Sequence, residues 1–313
     1  MNNIKQFSDY LEKQGLFKMI QTYVSGYSYQ LERGDELKKI NSIGFETPQD
    51  LMEVCVNHCL QLANNGQIDF NNDDKSDFSN FLKACQSLNI SCEKDTYMYS
   101  ILRAKANSLY SVLMQSIKSS SIGYSDRESV NVYSKIISIV GLPEDDSHDL
   151  EGLMSSIING NRWSVHSFSD AMANFVSILA KQDYNNIKDK YLKTVKKLKA
   201  HRREPIFIGV IRSGKLDKKT ARKMRSDASE SVSHNCIEEL FKCSNLYSDE
   251  EFQRLFTQFG DSPYYQVRMY LAKNVHPKQL MCLMGTSCDQ TKRVMMQRIK
   301  EYYETLEKEN DCE

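Results

Sequence analysis

Residues 206–220 read IFIGVIRSGKLDKKT, and the interpretation of this stretch decides the fold. Gly209, four residues and Gly214-Lys215 after an apolar run come close to G-x-x-x-x-G-K-[ST], the strand–loop–helix motif that holds nucleotide phosphates. That motif needs Ser or Thr after its lysine to bind Mg²⁺, whereas Leu216 follows here. The alternative is an α-helix that ends at Gly214, because glycine favours the left-handed conformation that closes many helices.

An internal repeat favours the helical interpretation. Three stretches align through apolar anchors that are spaced by 30 and 29 residues, Leu216, Leu246 and Val275. Each anchor follows a short polar turn and is followed by apolar residues at helical spacing. A helix–turn–helix unit of this length cannot bury its apolar face alone, so neighbouring units stack into an array. We therefore expect residues 206–220 to form a helix and its turn.

The turns between the repeats carry a family resemblance. Asp261-Ser-Pro-Tyr-Tyr-Gln-Val267-Arg268 resembles the turn of variant leucine-rich and HEAT-like α-helical repeats, in which Asp closes a polar turn that leads into Val-Arg. Residues 227–232 match without the arginine, and residues 291–294 depart further. The resemblance covers about residues 205–300 and implies a curved helical surface for a binding partner, without saying which partner. No family is recognised for the part of the chain before it.

The rest of the sequence also has a helical pattern. Only five prolines and thirteen glycines occur in 313 residues, and Thr47-Pro48 has the form of a helix start, with further helices expected from Ser76 and Lys94. Exposed loops are expected at 64–77, 119–128 and 141–152. We predict an all-α protein with two parts. Residues 1–184 form a helical N-terminal domain, and residues 185–313 form a basic helix, an α-solenoid-like array of about three 29–30-residue repeats and an acidic C-terminal tail.

The chain shows no arrangement of residues that is typical of catalysis. Its nine cysteines are odd in number and lack framework spacing, which is typical of a reducing, cytoplasmic compartment. Cys55 and Cys59 lie on an apolar helical stripe and are predicted to be buried thiols, as are cysteines 236, 243, 282 and 288. The acidic segment around His148 is predicted to be a solvated loop. We expect a non-enzymatic protein without cofactor, metal site, signal peptide or membrane span.

The charge distribution is the strongest functional signal. The chain is neutral, with 41 basic and 41 acidic residues. Residues 188–226 nevertheless hold fifteen bases against three acids, a net charge of +12 that the rest of the chain balances with −12. Such a segment on a helical array suits a phosphate backbone, and Tyr264, Tyr265 and Tyr270 offer stacking surfaces unless they pack internally. The predicted contact residues are Lys190, Lys193, Lys196, Lys197, Lys199, Arg202, Arg203, Arg212, Lys215, Lys218, Lys219, Arg222, Lys223 and Arg225.

The sequence thus predicts binding of RNA or another single-stranded nucleic acid, with RNA ahead of DNA and with little base-specific readout. A nucleocapsid-type protein of viral or phage origin, which coats RNA between two helical lobes, would fit this description. One alternative is a repeat scaffold that binds a protein partner, and another is a nucleotide-binding loop around Lys215. Self-association is a further hypothesis, in which the acidic tail covers the basic segment of its own or a neighbouring chain.

Overall fold

The computed structural model describes residues 48–64, 75–88, 92–94, 96–119, 126–143, 148–159, 168–285 and 288–310. Throughout these ranges the regular elements are helical and no strand occurs, which confirms the all-α class. None of the described helices combines the length and the apolar composition that a membrane span requires. The chain divides into two compact units, Met1–His148 and Asp149–Glu313.

Unit 1 is built from four described helices that share one apolar core. They are α1 Pro48–Asn64, α2 Lys75–Ser87, α3 Tyr97–Ser119 and α4 Arg127–Val140. Helix α4 packs on α2 and α3, and α1 packs on the same two helices. The predicted starts near residues 48, 76 and 94 are confirmed to within about three residues, a normal uncertainty for helix ends. The predicted loops at 64–77 and 119–128 lie largely outside the described residues.

His148 corrects the prediction of a solvated loop at the end of unit 1. Its side chain is buried, with its ring stacked on Tyr110 at 4.0 Å between centroids. Its Nδ1 lies 2.8 Å from the hydroxyl of Tyr133, which is itself fully buried in α4. The chain therefore closes onto α3 and α4 at this point, because two aromatic neighbours offer the imidazole both a stacking surface and a polar partner. The neighbouring Asp145 and Asp146 lie outside the described residues.

Unit 2 continues with further helices of alternating length. They are α5 Leu150–Asn159, α6 Ser169–Gln182, α7 Tyr184–Ile187, α8 Ala200–Arg212, α9 Lys218–Arg225, α10 Glu230–Lys242, α11 Asp249–Phe256, α12 Tyr265–Asn274 and α13 Asp289–Asn310. Shorter 3₁₀ segments occupy Val195–Lys197, Ser244–Leu246, Thr257–Phe259 and Pro277–Leu283. Helix α6 packs on α8, so the predicted domain boundary after residue 184 falls inside this unit.

The helices of unit 2 stack on every second neighbour. Helix α10 lies between α8 and α12, while the short α9 packs on α11 and on the 3₁₀ turn that follows it. This alternation is the packing that helix–turn–helix repeats use to bury a continuous core. Val232 and Val267, which begin α10 and α12 in the predicted repeat, are both fully buried. The solenoid as a whole stays a prediction.

The quoted stretch forms a helix and its turn, as the repeat indicated. Residues 206–212 are the second half of α8, and Gly214 has a φ of 70°, the left-handed conformation expected after a helix end. Asp217 then caps α9, its carboxylate accepting a hydrogen bond of 2.6 Å from the backbone N–H of Thr220. Leu216 between them is buried, which explains a leucine where a phosphate loop would carry Ser or Thr.

Two details of unit 2 differ from the prediction. Leu246, the second anchor, lies in a 3₁₀ turn and is 45% exposed, whereas Leu216 and Val275 are buried. The neighbouring Tyr247 ties this turn to α8 instead, because its hydroxyl donates a 2.6 Å hydrogen bond to the carbonyl of Ile211. The second difference is that the basic helix predicted ahead of the repeats is not continuous.

A π-helical turn at Lys188–Leu192 and the 3₁₀ turn at Val195–Lys197 precede α8. The predicted helix is thus interrupted within its apolar part. Leu192 and Val195 are both buried, but they lie three residues apart in two different turns. The lysines between and after them are left on an irregular surface rather than on a regular helical face.

The contact between α6 and α8 is close enough to be tested by a single methyl group. A Cβ added at Gly209 would lie 2.5 Å from the backbone carbonyl oxygen of Ala173 and 2.5 Å from Cβ of Val176. We expect Gly209→Ala to destabilise unit 2 by about 2 kcal/mol, since overpacking outweighs the usual helical advantage of alanine. The midpoint of thermal unfolding, followed by circular dichroism, should fall by roughly 4–8 °C.

Gly285→Ala is the matched control. A Cβ at Gly285 meets no atom within 4 Å, so its unfolding midpoint should stay at the wild-type value. Equal midpoints for the Gly209 variant and the wild type would contradict the close packing of α6 on α8.

Candidate nucleic-acid interface

The fourteen predicted contact residues lie on the π-helical turn, the following 3₁₀ turn, α8, α9 and the residues that connect these elements. Five of them form ion pairs in the structure, and these five are Lys190, Lys193, Arg203, Arg212 and Arg225. The remaining nine have no carboxylate partner among the described residues. The two groups must be considered separately, because a paired base must lose its partner before it can bind a phosphate.

Arg203 is a structural residue. Its side chain is buried, and its Nε and Nη2 donate to the two carboxylate oxygens of Asp227 at 2.8 and 2.6 Å. Its Nη1 donates to the carbonyl of Leu198, in the segment that precedes α8. A bidentate pair of this kind holds both groups in place, and removing one leaves the other charged and buried. We therefore exclude Arg203 from the candidate interface.

Arg212 and Arg225 also connect helices. Arg212 donates to Glu239 of α10 at 2.6 Å and to Asp170 of α6 at 2.7 Å, which joins both neighbours of α8. Arg225 donates to the carboxylate of Asp261, in the turn before α12. Both guanidinium groups are partly buried in these contacts and are poorly placed to meet a ligand.

Lys190 and Lys193 are different because their pairs are exposed. Lys190 lies 2.6 Å from Glu151, and Lys193 lies 2.8 Å from Asp189 one helical turn earlier. Exposed pairs of this kind contribute little to stability, so a phosphate could replace either carboxylate at small cost. We keep both lysines at the edge of the candidate interface.

The unpaired group forms the basic surface itself. Seven of its nine members are exposed, and Arg202 and Lys223 are half-buried. Its members are Lys196, Lys197, Lys199, Arg202, Lys215, Lys218, Lys219, Arg222 and Lys223. The Nε of Arg222 donates a 2.9 Å hydrogen bond to the side-chain oxygen of Gln258, which is uncharged. The charge of this group is therefore available to an anionic ligand.

Lys223 lies at the centre of a set of like charges, which we call the lysine cluster: Lys188, Lys196, Lys219 and Lys223. Its Nζ donates a 3.0 Å hydrogen bond to the carbonyl of Leu192, which attaches α9 to the π-helical turn. Burial lowers the pKa of Lys223, and the charges of Lys219, Lys196 and Lys188 lower it further, against the opposing effect of Asp217. The fold has thus brought together lysines that are up to 35 positions apart in sequence.

Lys188 was not among the predicted contact residues. It lies 2.9 Å from Asp217, the cap of α9, and this hydrogen bond raises the pKa of Lys188. The spacing of Lys219 and Lys223 by four residues was the one signal in the sequence that indicates a shared face. Nothing in the sequence placed Lys188 or Lys196 beside them, since that proximity depends on the irregular path of residues 188–199.

Two of the three predicted stacking tyrosines have internal packing partners. Tyr264 donates a 2.6 Å hydrogen bond from its hydroxyl to the backbone carbonyl of Asp227. Tyr270 meets the ring of Phe241 edge-on at 5.4 Å and that of His234 at 5.7 Å. The internal-packing alternative therefore describes both residues, and a half-buried Tyr265 is the member of the set without such a contact in the described part of the chain.

The acidic C-terminal segment does not cover the basic surface in this structure. Residues 301–310 belong to α13, which packs on α12 and on the 3₁₀ segment Pro277–Leu283. Among the ion pairs of the described residues, the carboxylates of α13 pair only within the helix, as Glu304 does with Lys300 at 3.5 Å. Residues 311–313 lie outside the described part.

The cysteines confirm one prediction and correct another. Cys55, Cys59 and Cys236 are buried, as expected. Cys282 and Cys288 are exposed, because Cys282 lies in a 3₁₀ segment and Cys288 just before α13, away from the apolar stripe of a helix. No group of three or more metal-binding side chains occurs within the described ranges.

Arg203 provides a stability test of the division into structural and surface bases. Arg203→Ala should cost roughly 3–5 kcal/mol of unfolding free energy, because it leaves the carboxylate of Asp227 buried without its partner. Lys197→Ala, an exposed base six positions earlier, should change it by less than about 0.5 kcal/mol. Chemical denaturation would measure both, and similar values for the two variants would return Arg203 to the interface.

The two exposed cysteines should differ in reactivity. The hydrogen bonds from the side chain and the backbone of Thr291, together with Arg268, lower the pKa of Cys288 to about 7, whereas burial raises the pKa of Cys282. Because the thiolate is the reactive form, alkylation of Cys288 should already be rapid near neutral pH, and that of Cys282 should need alkaline pH. Mass spectrometry after brief iodoacetamide treatment between pH 6 and 9 would measure the two rates, and parallel pH profiles would contradict this assignment.

Comparison with known proteins identifies no relative. No protein-family model matches the chain, no curated protein matches it, and no solved structure matches its fold. The resemblance of residues 205–300 to helical repeats therefore stays a prediction, and the basic surface is the feature of the molecule that bears on function.

Proposed function

We propose that this protein binds single-stranded nucleic acid, with RNA preferred, by holding the phosphate backbone on the basic surface of residues 188–223. The observation that carries the proposal is the lysine cluster. The π-helical turn, the 3₁₀ turn and α9 bring these lysines to one side of unit 2, where Lys223 and Lys188 are half-buried and the charges of the other three lower the pKa of Lys223. Like charges held together in this way destabilise a protein unless a counter-charge neutralises them.

A phosphate backbone supplies that counter-charge in a repeating form. Lysine ammonium groups bind phosphates as point charges, and each contact releases condensed counterions, which gives affinity without reading the base. The cluster would form the centre of the contact, with the exposed lysines of α9 and of residues 196–199 extending it in both directions. Such an interface would follow a flexible strand and would show little sequence preference.

The proposed role is non-enzymatic. The surface consists of lysine and arginine side chains, and a protein that coats RNA, as a nucleocapsid protein does, needs only this electrostatic contact. In this proposal RNA is the preferred ligand and matched DNA is the comparison.

The second candidate is a scaffold that binds a protein segment. A groove of about 320 Å³ lies between α6, α8 and α10, where helical repeats commonly hold a peptide. The charged residues of its lining are mainly acidic, with Asp170, Glu204, Glu238 and Glu239 against Arg212 and Lys242. A segment of a partner that carries basic residues would suit this groove, whereas an acidic segment would suit the lysine cluster.

The test of the first proposal is fluorescence anisotropy with a labelled single-stranded RNA of about 25 nucleotides at several salt concentrations. The informative variant is Lys196→Gln/Lys219→Gln/Lys223→Gln, which removes three charges of the cluster and keeps the structural arginines. Its plot of log affinity against log salt should be shallower than that of the wild type by about 2, since each phosphate contact on a single strand contributes about 0.7.

The control variant is Lys181→Gln/Lys242→Gln/Lys273→Gln, which removes the same charge from exposed positions elsewhere in unit 2. It should keep the wild-type slope. If both variants change the slope equally, the binding is a general effect of net charge and the proposed interface is wrong. If the wild type binds neither RNA nor DNA even at low salt, the scaffold function becomes the leading candidate.

A further inference from the structure

The last helix of the chain carries its charges in an unusual order. The first twelve residues of α13, 289–300, hold four bases and one acid, a net charge of +3. The last ten, 301–310, hold four acids and one base, a net charge of −3. A helix dipole favours the reverse, with acids in the first turns and bases in the last. Apart from Asp289 in the first turn and Lys308 in the last, the charges of α13 are thus arranged against its dipole, which indicates that they serve another contact.

One face of α13 is already used inside unit 2. Thr291 and Met295 are buried there, and Arg298 donates to the backbone carbonyls of Ala272 and Val275 at 2.7 and 2.9 Å. Tyr302 continues this face, with its ring edge-on to that of His276 at 5.3 Å. These residues attach α13 to the end of α12 and to the turn that follows it.

A second apolar face lies beside the first. Met296, Ile299, Tyr303 and Leu306 follow one another at intervals of three, four and three residues, which places them on one side of a helix. We call this set the outer stripe. Met296 and Tyr303 are 54% and 52% exposed, two of the highest values among large apolar side chains in the described part of the protein, and Ile299 and Leu306 are half-buried.

We propose that the outer stripes of two copies of this chain pair in antiparallel orientation, so that α13 forms a two-fold symmetric dimer interface. In this pairing Ile299 lies against Tyr303 of the second copy and Met296 against Leu306 of the second copy. Symmetry repeats each contact, as in every two-fold interface between identical surfaces.

Charge complementarity selects a second copy as the occupant. In antiparallel orientation the +3 half of each α13 faces the −3 half of the other, and Arg293 comes close to Glu307 of the second copy. Parallel pairing would place like charges together at both ends. The two helix dipoles also oppose each other favourably in the antiparallel pair. A different protein would need both the same apolar spacing and the same charge gradient, whereas a second copy has them by identity.

The expected dimer is weak. The outer stripe spans eleven residues, about 15 Å along the helix, so the buried area lies at the small end of specific interfaces. Sedimentation equilibrium of the full chain from about 1 to 200 µM should show a reversible increase of the 36.2 kDa monomer toward twice that mass. The experiment contains no nucleic acid, so its result is independent of the proposed RNA binding.

A charge-swap experiment tests the orientation. R293E/K300E makes α13 acidic along most of its length, and E304K/E307K makes it basic, so each variant should repel its own copies and stay monomeric. An equimolar mixture of the two should recover dimers, because the acidic helix of one pairs with the basic helix of the other. All four positions are exposed, and E304K/E307K places bases at the helix end where the dipole favours them, so the thermal midpoint should not fall.

The apolar part is tested by Tyr303→Ser, with Leu246→Ser as the control at a side chain that is 45% exposed elsewhere in unit 2. Tyr303→Ser should weaken dimerisation at least tenfold, and Leu246→Ser should leave it unchanged. A wild-type chain that stays monomeric at the highest concentration would overturn the proposal. So would charge variants that dimerise like the wild type, or a mixture of them that fails to associate.

Discussion

The buried ion pair between Arg203 and Asp227 connects the parts of unit 2 that carry the basic surface. Asp227 also accepts from the backbone N–H of Ser229 at the start of α10, and its own carbonyl accepts from Tyr264 near α12. Arg203 in turn holds the carbonyl of Leu198. Two buried charges are costly unless they are paired and fully hydrogen-bonded, and here the two residues have three further hydrogen bonds, which reach the segments before α8, α10 and α12. The irregular segment before α8 is kept in place by this interaction.

That constraint explains how so many lysines come to share one surface. With Leu198 held from one side, the carbonyl of Leu192 lies where Lys223 can reach it, and α9 docks with its basic face toward the π-helical turn. The charges of Lys219, Lys196 and Lys188 disfavour the charged form of Lys223, and the hydrogen bond from its Nζ to the carbonyl of Leu192 offsets part of this cost. A surface that maintains such repulsion in the free protein has free energy to gain from an anionic ligand, so the arginines of the core and the lysines of the surface have separate roles.

Much of the fold could be predicted from local chemistry, and the candidate site only in part. Gly214 and Leu216 were sufficient to distinguish a helix end from a phosphate loop, because glycine geometry and the requirement for a metal-binding hydroxyl are both local. The place of Lys188 within the lysine cluster was not predictable, since it depends on contacts between segments far apart in sequence. Leu246 and Cys288 were misjudged for a related reason: helical spacing alone does not distinguish the buried side of a helix from a short 3₁₀ turn or the residue before a helix.

The contact between Gly209 and Ala173 has a consequence for how unit 2 would respond to mechanical force. Two backbones in such close contact cannot slide past each other without first separating, so we expect α6 and α8 to move together. The later helices are joined mainly by side chains, which can yield one at a time. Under tension between the ends of the unit, α13 and α12 would detach first and the paired α6 and α8 last. Residues 196–202, which lead into α8, would therefore keep their positions longer than the last helices of the unit.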